Sequence, residues 1–341
     1  MQPDIPARPR IPELDAVRGF ALCGILVVDI WQITGMSATV SPGVMDSTRH
    51  MLSVLFEGRF FPIFSFLFGL GFSLFLDSAA EHTDRPRLVL ARRLIALGVL
   101  GLVHHQFQPG EALLPYAVVG LVILLPAAEL SRWILLTLGL AGTVGVALTL
   151  GGGLGLVPGL FLLGMAADRF GIAETLRERT WQLAVVFLLA APAAVVAAWW
   201  EYHVPYLDLL ASSAPALAGL LGALAYLTGL LLVLRTAFGE VLSEVLQPMG
   251  RMALTNYVGA TGLILAADPR LGLAGSTNYE LLLLLAASIM VVQVIISSVW
   301  LRWFGHGPLE WVWRCLTWWQ PVPIRPRGAE RADSLGLPRR W

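Results

Sequence analysis

The chain is a succession of apolar stretches, most of them close to membrane-crossing length, separated by short polar breaks. A helix needs about 20 mostly apolar residues to cross the hydrocarbon core, where every backbone polar group must be satisfied internally. The stretches fall at 14–36, 52–76, 93–107, 113–130, 133–151, 154–168, 181–200, 214–235, 252–267 and 280–302. The breaks are too brief to hold an inserted soluble domain. The expected fold is therefore all-α: a polytopic integral membrane protein with about ten transmembrane helices. It reads as one transmembrane domain over 1–319, with a C-terminal motif region at 235–319 and a flexible cytoplasmic tail at 320–341.

Composition places the chain outside the soluble class. Hydrophobic residues make up 57% and charged residues 13%, against about 25% charged in soluble domains. The first stretch is too long and too polar for a signal peptide. All the basic residues are arginine, and they orient the helices. Arg8 and Arg10, then Arg85, Arg87, Arg92 and Arg93, then Arg132, then Arg169, Arg177 and Arg179, then Arg235 and Arg251, and finally Arg302 onward fall in alternate connections. The intervening connections hold only Arg49 and Arg270, with Arg59 at a span's edge. That is the positive-inside pattern of a multi-pass plasma-membrane protein with both termini cytoplasmic. Net charge is zero and gives no hint of nucleic acid. The expected partners are the lipid bilayer and a small-molecule, lipid or glycan acceptor, with a homo-oligomer open to such a chain.

Several ionisable residues interrupt the apolar runs. In "LDAVRGFALCGILVVDI" (14–30), Arg18 and Asp29 are eleven residues apart, within about 20° on a helix and some 16 Å along its axis. Asp15 is placed to pair with Arg18 at i,i+3. Span three repeats the spacing in "RRLIALGVLGLVHH" (92–105), with Arg93 and His104. His104 and His105 then lie level with Asp29, and Glu111 in "QPGEALLPY" adds a second carboxylate. An intramembrane ionisable residue is a functional candidate by default. A histidine with a neighbouring carboxylate suits general-base work near neutral pH. The plainer alternatives are an arginine reaching to the interface and histidines at a helix end.

Other positions carry weaker signals. Glu57 and Arg59 mark the edge of span two, and Arg59, alone on an arginine-poor side, suits an anionic group. Gly69 and Gly71 permit close helix contact. His50 reads as a loop histidine. "GRMALTNY" (250–257) puts Arg251 and Thr255 on one face of span nine, with Asn256 and Tyr257 beside them; interhelical hydrogen bonding alone would account for Thr255 and Asn256. "GPLEWVWRCLTWW" (307–319) reads as a tryptophan-rich interfacial helix with Glu310 and Arg314 as an i,i+4 pair. Cys23 and Cys315 read as unpaired thiols. No third ligand accompanies the adjacent histidines at metal-site spacing, so no metal is expected. No Walker, HExxH or GxSxG motif occurs. On the residues alone, a membrane enzyme and a transporter both stay open.

The motifs "LDAVRGFALCGILVVDI", "FSFLFGLGF", "RRLIALGVLGLVHH…GEALLPYA", "GRMALTNY" and "GPLEWVWRCLT" resemble, in the same order over about residues 10–319, the YeiB-like membrane proteins, a family of unknown function. The resemblance maps family positions onto Arg92, Arg93, His104, Glu111 and Tyr116, with glutamate at 111 where aspartate is usual. The family in turn is distantly similar to the transmembrane acyltransferases, which include acyltransferase-3 proteins and heparan-alpha-glucosaminide N-acetyltransferase. That similarity implies transfer of an acyl group from a cytoplasmic donor, commonly acyl-CoA, to a hydroxyl or amine across the membrane. Acyltransferase-3 proteins carry an arginine and a catalytic histidine in their first helix. Arg18 matches the arginine, and Asp29 stands at the histidine position, where YeiB-like proteins more often have asparagine.

These expectations combine into one scheme. His104, Asp29 and Glu111 form the catalytic group, with His104 as base and Asp29 orienting it. Arg18, Arg92, Arg93 and Arg251 receive the anionic end of acyl-CoA, a co-substrate rather than a permanently bound cofactor. Arg59 or Tyr116 stabilises the oxyanion, and Asn256 and Tyr257 complete the substrate-binding set. The alternative is a transporter or exporter of a small metabolite in which Asp29 and His104 couple protons.

Overall fold

A computed structural model describes residues 11–325. The chain is mostly helical, and nine of the ten expected stretches each coincide with a helix, while 52–76 runs over the end of one helix and most of the next. In chain order the helices are α1 (Pro12–Thr34), α2 (Ser47–Phe56), α3 (Phe60–Ala80), α4 (Pro86–His104) and α5 (Leu113–Ala127, with a π-turn at Gly120–Leu124). They continue as α6 (Arg132–Thr149), α7 (Val157–Arg169), α8 (Thr180–His203), α9 (Ala214–Val233), α10 (Ala237–Arg251), α11 (Ala253–Leu271), α12 (Tyr279–Trp303) and α13 (Pro308–Trp318). Proline occupies the first turn of α1, α4, α7, α9 and α13, where its missing N–H costs no hydrogen bond.

Among the described residues, 6 helical segments are long and apolar enough to cross a membrane: α1, the α2–α3 segment, α6, α8, α9 and α12. The remaining expected spans are helices that are shorter or less apolar, such as α7 with 13 residues. Burial separates inner from outer helices. The most apolar window of α1 is 61% buried, whereas that of α8 is 11% buried. α1 packs against α3, α10, α11 and α12, while Leu188, Leu189, Val195 and Val196 of α8 face outward. Apolar groups exposed on that scale suit a lipid surroundings and no aqueous one.

Glycines set the closest helix contacts. A β-carbon at Gly19 or Gly250 would overlap the Leu246 or Asp15 carbonyl, which fixes α10 against α1. Gly69 and Gly164 do the same for α3 and α7, each facing the other helix's backbone at Phe161 and Phe66. With no hydrophobic drive between helices in lipid, such backbone proximity supplies much of the packing energy.

Several expectations are corrected. The all-α class holds, with one small addition: β1 (Thr39–Ser41) and β2 (Val44–Met45) form an antiparallel hairpin between α1 and α2. The expected span 52–76 is broken at Glu57–Arg59, where Gly58 has φ 76° and turns the chain between α2 and α3. His50 lies in α2, stacked on Tyr202 with ring centroids 4.3 Å apart, and is no loop residue. The segment between Arg235 and Arg251, expected as a loop, is α10. Thr236 caps it by accepting from Gly239 N at 3.2 Å, and Leu242 and Leu246 pack into the α1 core. The chain breaks again at Met252, so Arg251 ends α10 and Thr255 belongs to α11 rather than sharing one helix face with it. Of the expected tail, residues 326–341 lie outside the described residues.

Candidate functional site

A cavity of about 1730 Å³ runs along α1 and is lined by Arg18 near one end and by Asp29 near the other. The helical spacing expected to align these two side chains does place both on the cavity wall. Between them the wall is apolar: Leu22 and Ile25 of α1, Phe60, Phe64, Phe68 and Phe72 of α3, and Leu94 and Leu97 of α4. The phenylalanines sit there because residues three and four apart on α3 share one helix face. Three zones result: a basic end, an aromatic neck and an acidic end.

At the basic end Arg18 pairs with Asp15 at 3.0 Å, the expected i,i+3 bridge. The Arg93 guanidinium lies 3.7 Å from the Trp313 ring centroid and 4.6 Å from that of Phe75. Trp313 Nε1 donates to the Arg93 carbonyl at 2.8 Å, so α13 clasps α4 at this point. Arg18 and Arg314 both repel Arg93 electrostatically, so the three guanidinium groups stand within electrostatic reach of one another, with Asp15 paired to the first. Arg251 also lines this end and donates to the Gly305 carbonyl at 3.5 Å.

Glu310 reaches across to the start of another helix. Its Oε1 accepts from Leu254 N at 2.7 Å and Thr255 N at 3.1 Å, and its Oε2 accepts from Thr255 Oγ1 at 2.5 Å. It therefore caps α11 from another helix, where the free N–H groups and helix dipole favour an anion. Burial pushes the Glu310 carboxyl above the ordinary range, and these hydrogen bonds partly offset that.

At the acidic end Asp29 is 4% exposed, and Oδ1 accepts from Gln108 Nε2 at 2.7 Å. Gln108 lies one turn beyond His104 in the connection to α5, where its N–H donates to the His104 carbonyl at 3.1 Å. Glu111 caps α5, accepting from the N–H of Leu113 and from Leu114 N at 3.0 Å. His104 and His105 separate: His105 is exposed, while His104 is 3% exposed. His104 Nε2 and Thr261 Oγ1 are 2.9 Å apart, and Nδ1 is 4.0 Å from Glu111 Oε1. The His104 ring lies 5.0 Å from that of Tyr257, whose hydroxyl accepts from Ala112 N at 3.4 Å. Asp29, Glu111 and Tyr257 line the cavity. His104 is not among the described residues that line it and stands one layer back. Asp29 is thus joined to the 104–111 segment through Gln108.

The remaining expected site residues have partners within the protein. Arg59 is 2% exposed and forms a double hydrogen-bonded ion pair with Glu201 of α8. Its Nη1 also donates to the Glu57 carbonyl at 2.5 Å. Tyr116 is packed among Phe64, Phe68 and Phe161, with its hydroxyl 2.5 Å from Ser65 Oγ. Asn256 Nδ2 donates to the Met249 carbonyl and to Ser297 Oγ, joining α10, α11 and α12. Arg49 pairs with Glu57 at 2.9 Å and lies 3.9 Å from the Trp31 ring centroid. Sequence reasoning missed Gln108, Thr261 and Glu201. Gln108 and Glu201 stand out as polar groups beside apolar runs, but Thr261 carries no such signal.

A family described as protein of unknown function (DUF418) matches residues 167–320, which include Glu201, Arg251, Tyr257, Thr261 and Glu310. An uncharacterized 39.9 kDa protein of the amylase 3′ region of Bacillus acidopullulyticus is 33% identical over 338 residues, covering 92% of this chain and 96% of that protein. The uncharacterized protein YeiB of Escherichia coli K12 is 26% identical over 381 residues, covering 89% of this chain and 95% of its own. YxaH of Bacillus subtilis 168, also uncharacterized, is 24% identical over 397 residues, covering 92% and 96%. No solved structure matches.

Proposed function

This chain belongs to the YeiB-like DUF418 family of proteins of unknown function, and we propose that it is a membrane-embedded acyltransferase. It would move an acyl group from a cytoplasmic donor such as acyl-CoA to a hydroxyl or amine acceptor. One observation carries this reading: a single cavity joins an arginine cluster to a buried carboxylate group through an aromatic neck. A long donor with an anionic head and a reactive far end suits such a shape. The arginine pattern supports ten spans in the plasma membrane, with the Arg18–Arg93 end and both termini on the cytoplasmic side.

In this scheme Arg18, Arg93 and Arg251 hold the anionic part of the donor, and the neck takes its arm and acyl chain. Asp29, on the cavity wall, takes the acceptor's proton as the acceptor attacks the thioester carbonyl. His104 acts from behind, through Glu111 and Tyr257. The oxyanion role passes to Tyr257, because Arg59 is committed to Glu201 and Tyr116 to Ser65. Purified protein is expected to bind acyl-CoA, and Asp29→Ala and His104→Ala are each expected to abolish transfer while the protein stays folded in the membrane. Full transfer by the His104 variant would remove His104 from the scheme.

Transport of a small metabolite is a second reading, favoured by the helix breaks at Gly58 and Met252 beside a cavity with polar groups at both ends. Proteoliposomes that accumulate a substrate unmodified, in a proton-dependent way, would establish it over transfer.

A further inference from the structure

The cavity wall at the acidic end runs on into the lipid-facing surface. Leu150 and Leu154 line the cavity and are 72% and 57% exposed, and Leu207 and Leu210 line it and are 77% and 95% exposed. All four lie in connections rather than in membrane-crossing helices. The first two join α6 to α7, and the second two sit on a 3-10 turn, Tyr206–Ala211, between α8 and α9. Over 150–156 and 204–213 the chain carries one charged residue, Asp208. The two connections form a single rim. Gly151, Gly152 and Gly153 all have positive φ. A β-carbon at Gly151 would stand 3.2 Å from the Leu210 carbonyl oxygen, and one at Gly152 would stand 2.8 Å from Ala216 Cβ. Three consecutive glycines thus let the first connection lie flat against the second. Trp199, Trp200 and Tyr202, exposed at the end of α8 just before the rim, have the make-up of the aromatic belt at a membrane–water interface.

We infer that the ligand of the acidic end is a membrane lipid, which enters sideways over this rim with its headgroup inward and its chains across Leu207 and Leu210. Apolar side chains this exposed are out of place on a connection that faces water. Lipid chains cover them, and pass from bilayer to cavity without crossing a polar barrier. Inside the rim the wall turns polar at Asp29, Glu111 and the Arg49–Glu57 ion pair, which suits a headgroup. The cavity also has the room: about 1730 Å³, against roughly 300–1,000 Å³ for a pocket that holds one drug-sized ligand. A water-soluble ligand would use the polar wall and leave the leucines bare. The inference deepens the transfer reading, on which the lipid's role as acceptor rests. There a headgroup hydroxyl or amine bonds to the carbonyl carbon as the thioester C–S bond breaks, and its proton passes by way of Asp29 to the thiolate.

Native mass spectrometry of the full-length protein in detergent, without an acyl donor, tests the binding. The probes are dioleoyl phosphatidylethanolamine, dioleoylglycerol and glycerophosphoethanolamine, the last a soluble headgroup without chains. At least one of the two lipids is expected to stay bound where glycerophosphoethanolamine does not. Leu207→Ser combined with Leu210→Ser is expected to weaken lipid binding by about tenfold. Leu188→Ser combined with Leu189→Ser, on the outward face of α8, is expected to leave it unchanged. Both pairs are exposed, so neither change touches the core; should the rim pair not fold, Leu150→Ser with Leu154→Ser carries the same test. Binding of neither lipid overturns the inference. So does a rim pair that loses no more lipid than the α8 pair, which would mark lipid held by the general surface, and so does a soluble headgroup that binds as tightly as the lipids. Lipid that binds through the rim but is not acylated when acyl-CoA is added would instead sink the transfer reading and leave the lipid site standing.

Discussion

Gln108 Nε2 donates to Asp29 Oδ1 at 2.7 Å across 79 residues of sequence, with both side chains buried. This bond ties the far half of α1 to the connection that also carries His104 and Glu111. A hydrogen bond to a charged group is worth about 1.5–3 kcal/mol. Gln108→Leu is accordingly expected to destabilise the protein by about that much and to lower transfer activity with it. Thermal unfolding in detergent reads the first effect; an unchanged melting temperature would show that Asp29 does not depend on Gln108.

Arg59 and Glu201 make a stronger structural demand. Breaking a buried ion pair by removing one partner costs about 3–5 kcal/mol, whereas replacing both by apolar groups is often neutral. Arg59→Met and Glu201→Leu should each lose folded protein, and the double variant should recover most of it. The measurement is yield of monodisperse protein together with melting temperature. Additive losses in the double variant would show that Arg59 serves something other than Glu201.

Arg93 tests the basic end. Its guanidinium stacks on Trp313 and Phe75, a geometry that a lysine ammonium does not reproduce. Arg93→Ala is expected to weaken acyl-CoA binding by tenfold or more, about 1.4 kcal/mol, with Arg93→Lys only partly restoring it. Binding of an uncharged thioester lacking the nucleotide should hardly change. Equal losses for both ligands would point to collapse of the clasp between α4 and α13 rather than to a lost charge.

Glu310 offers a pH signature. Its carboxyl titrates above the ordinary range because of burial, so the folded state holds the proton more tightly than the unfolded chain does. Its contribution to stability is fully present below the unfolded value, about 4.3, and is lost as pH rises through the raised folded value. Glu310→Gln, which retains an acceptor for Leu254 and Thr255, should therefore flatten the fall in stability on the alkaline side of that window. Parallel stability–pH curves for the two proteins would refute the burial account.

Close packing offers a fourth structural check. Gly250 faces the Asp15 carbonyl with no room for a β-carbon, and forcing extra atoms into a packed contact costs about 1–3 kcal/mol. Gly250→Ala should destabilise the α1–α10 pair, whereas Gly259→Ala, with open space around it, should not. Melting temperatures of the two variants decide it.

Much of this architecture was readable from local pattern. Apolar runs located the helices, because the 3.6-residue period and the span length are properties of each segment alone. The same period put Arg18 and Asp29 on one face, and the structure has both on the cavity wall. Asp15 and Arg18 paired as i,i+3 neighbours for that reason too. Where local pattern misled, a backbone break intervened. Gly58 split a span that hydropathy reads as continuous, and Met252 separated Arg251 from Thr255.

What the sequence by itself determined is the position of most of the apolar helices, the polar stripe of α1 and the apolar composition that calls for lipid. Only the tertiary structure decided which helix stands opposite each polar group. Arg59 met Glu201 across 142 residues and Asp29 met Gln108 across 79, while His104 met Thr261 across 157. Helix periodicity assigns a side chain to a face. The partner on that face is chosen by packing among distant segments, where every buried charge must find compensation, and no local signal encodes that choice.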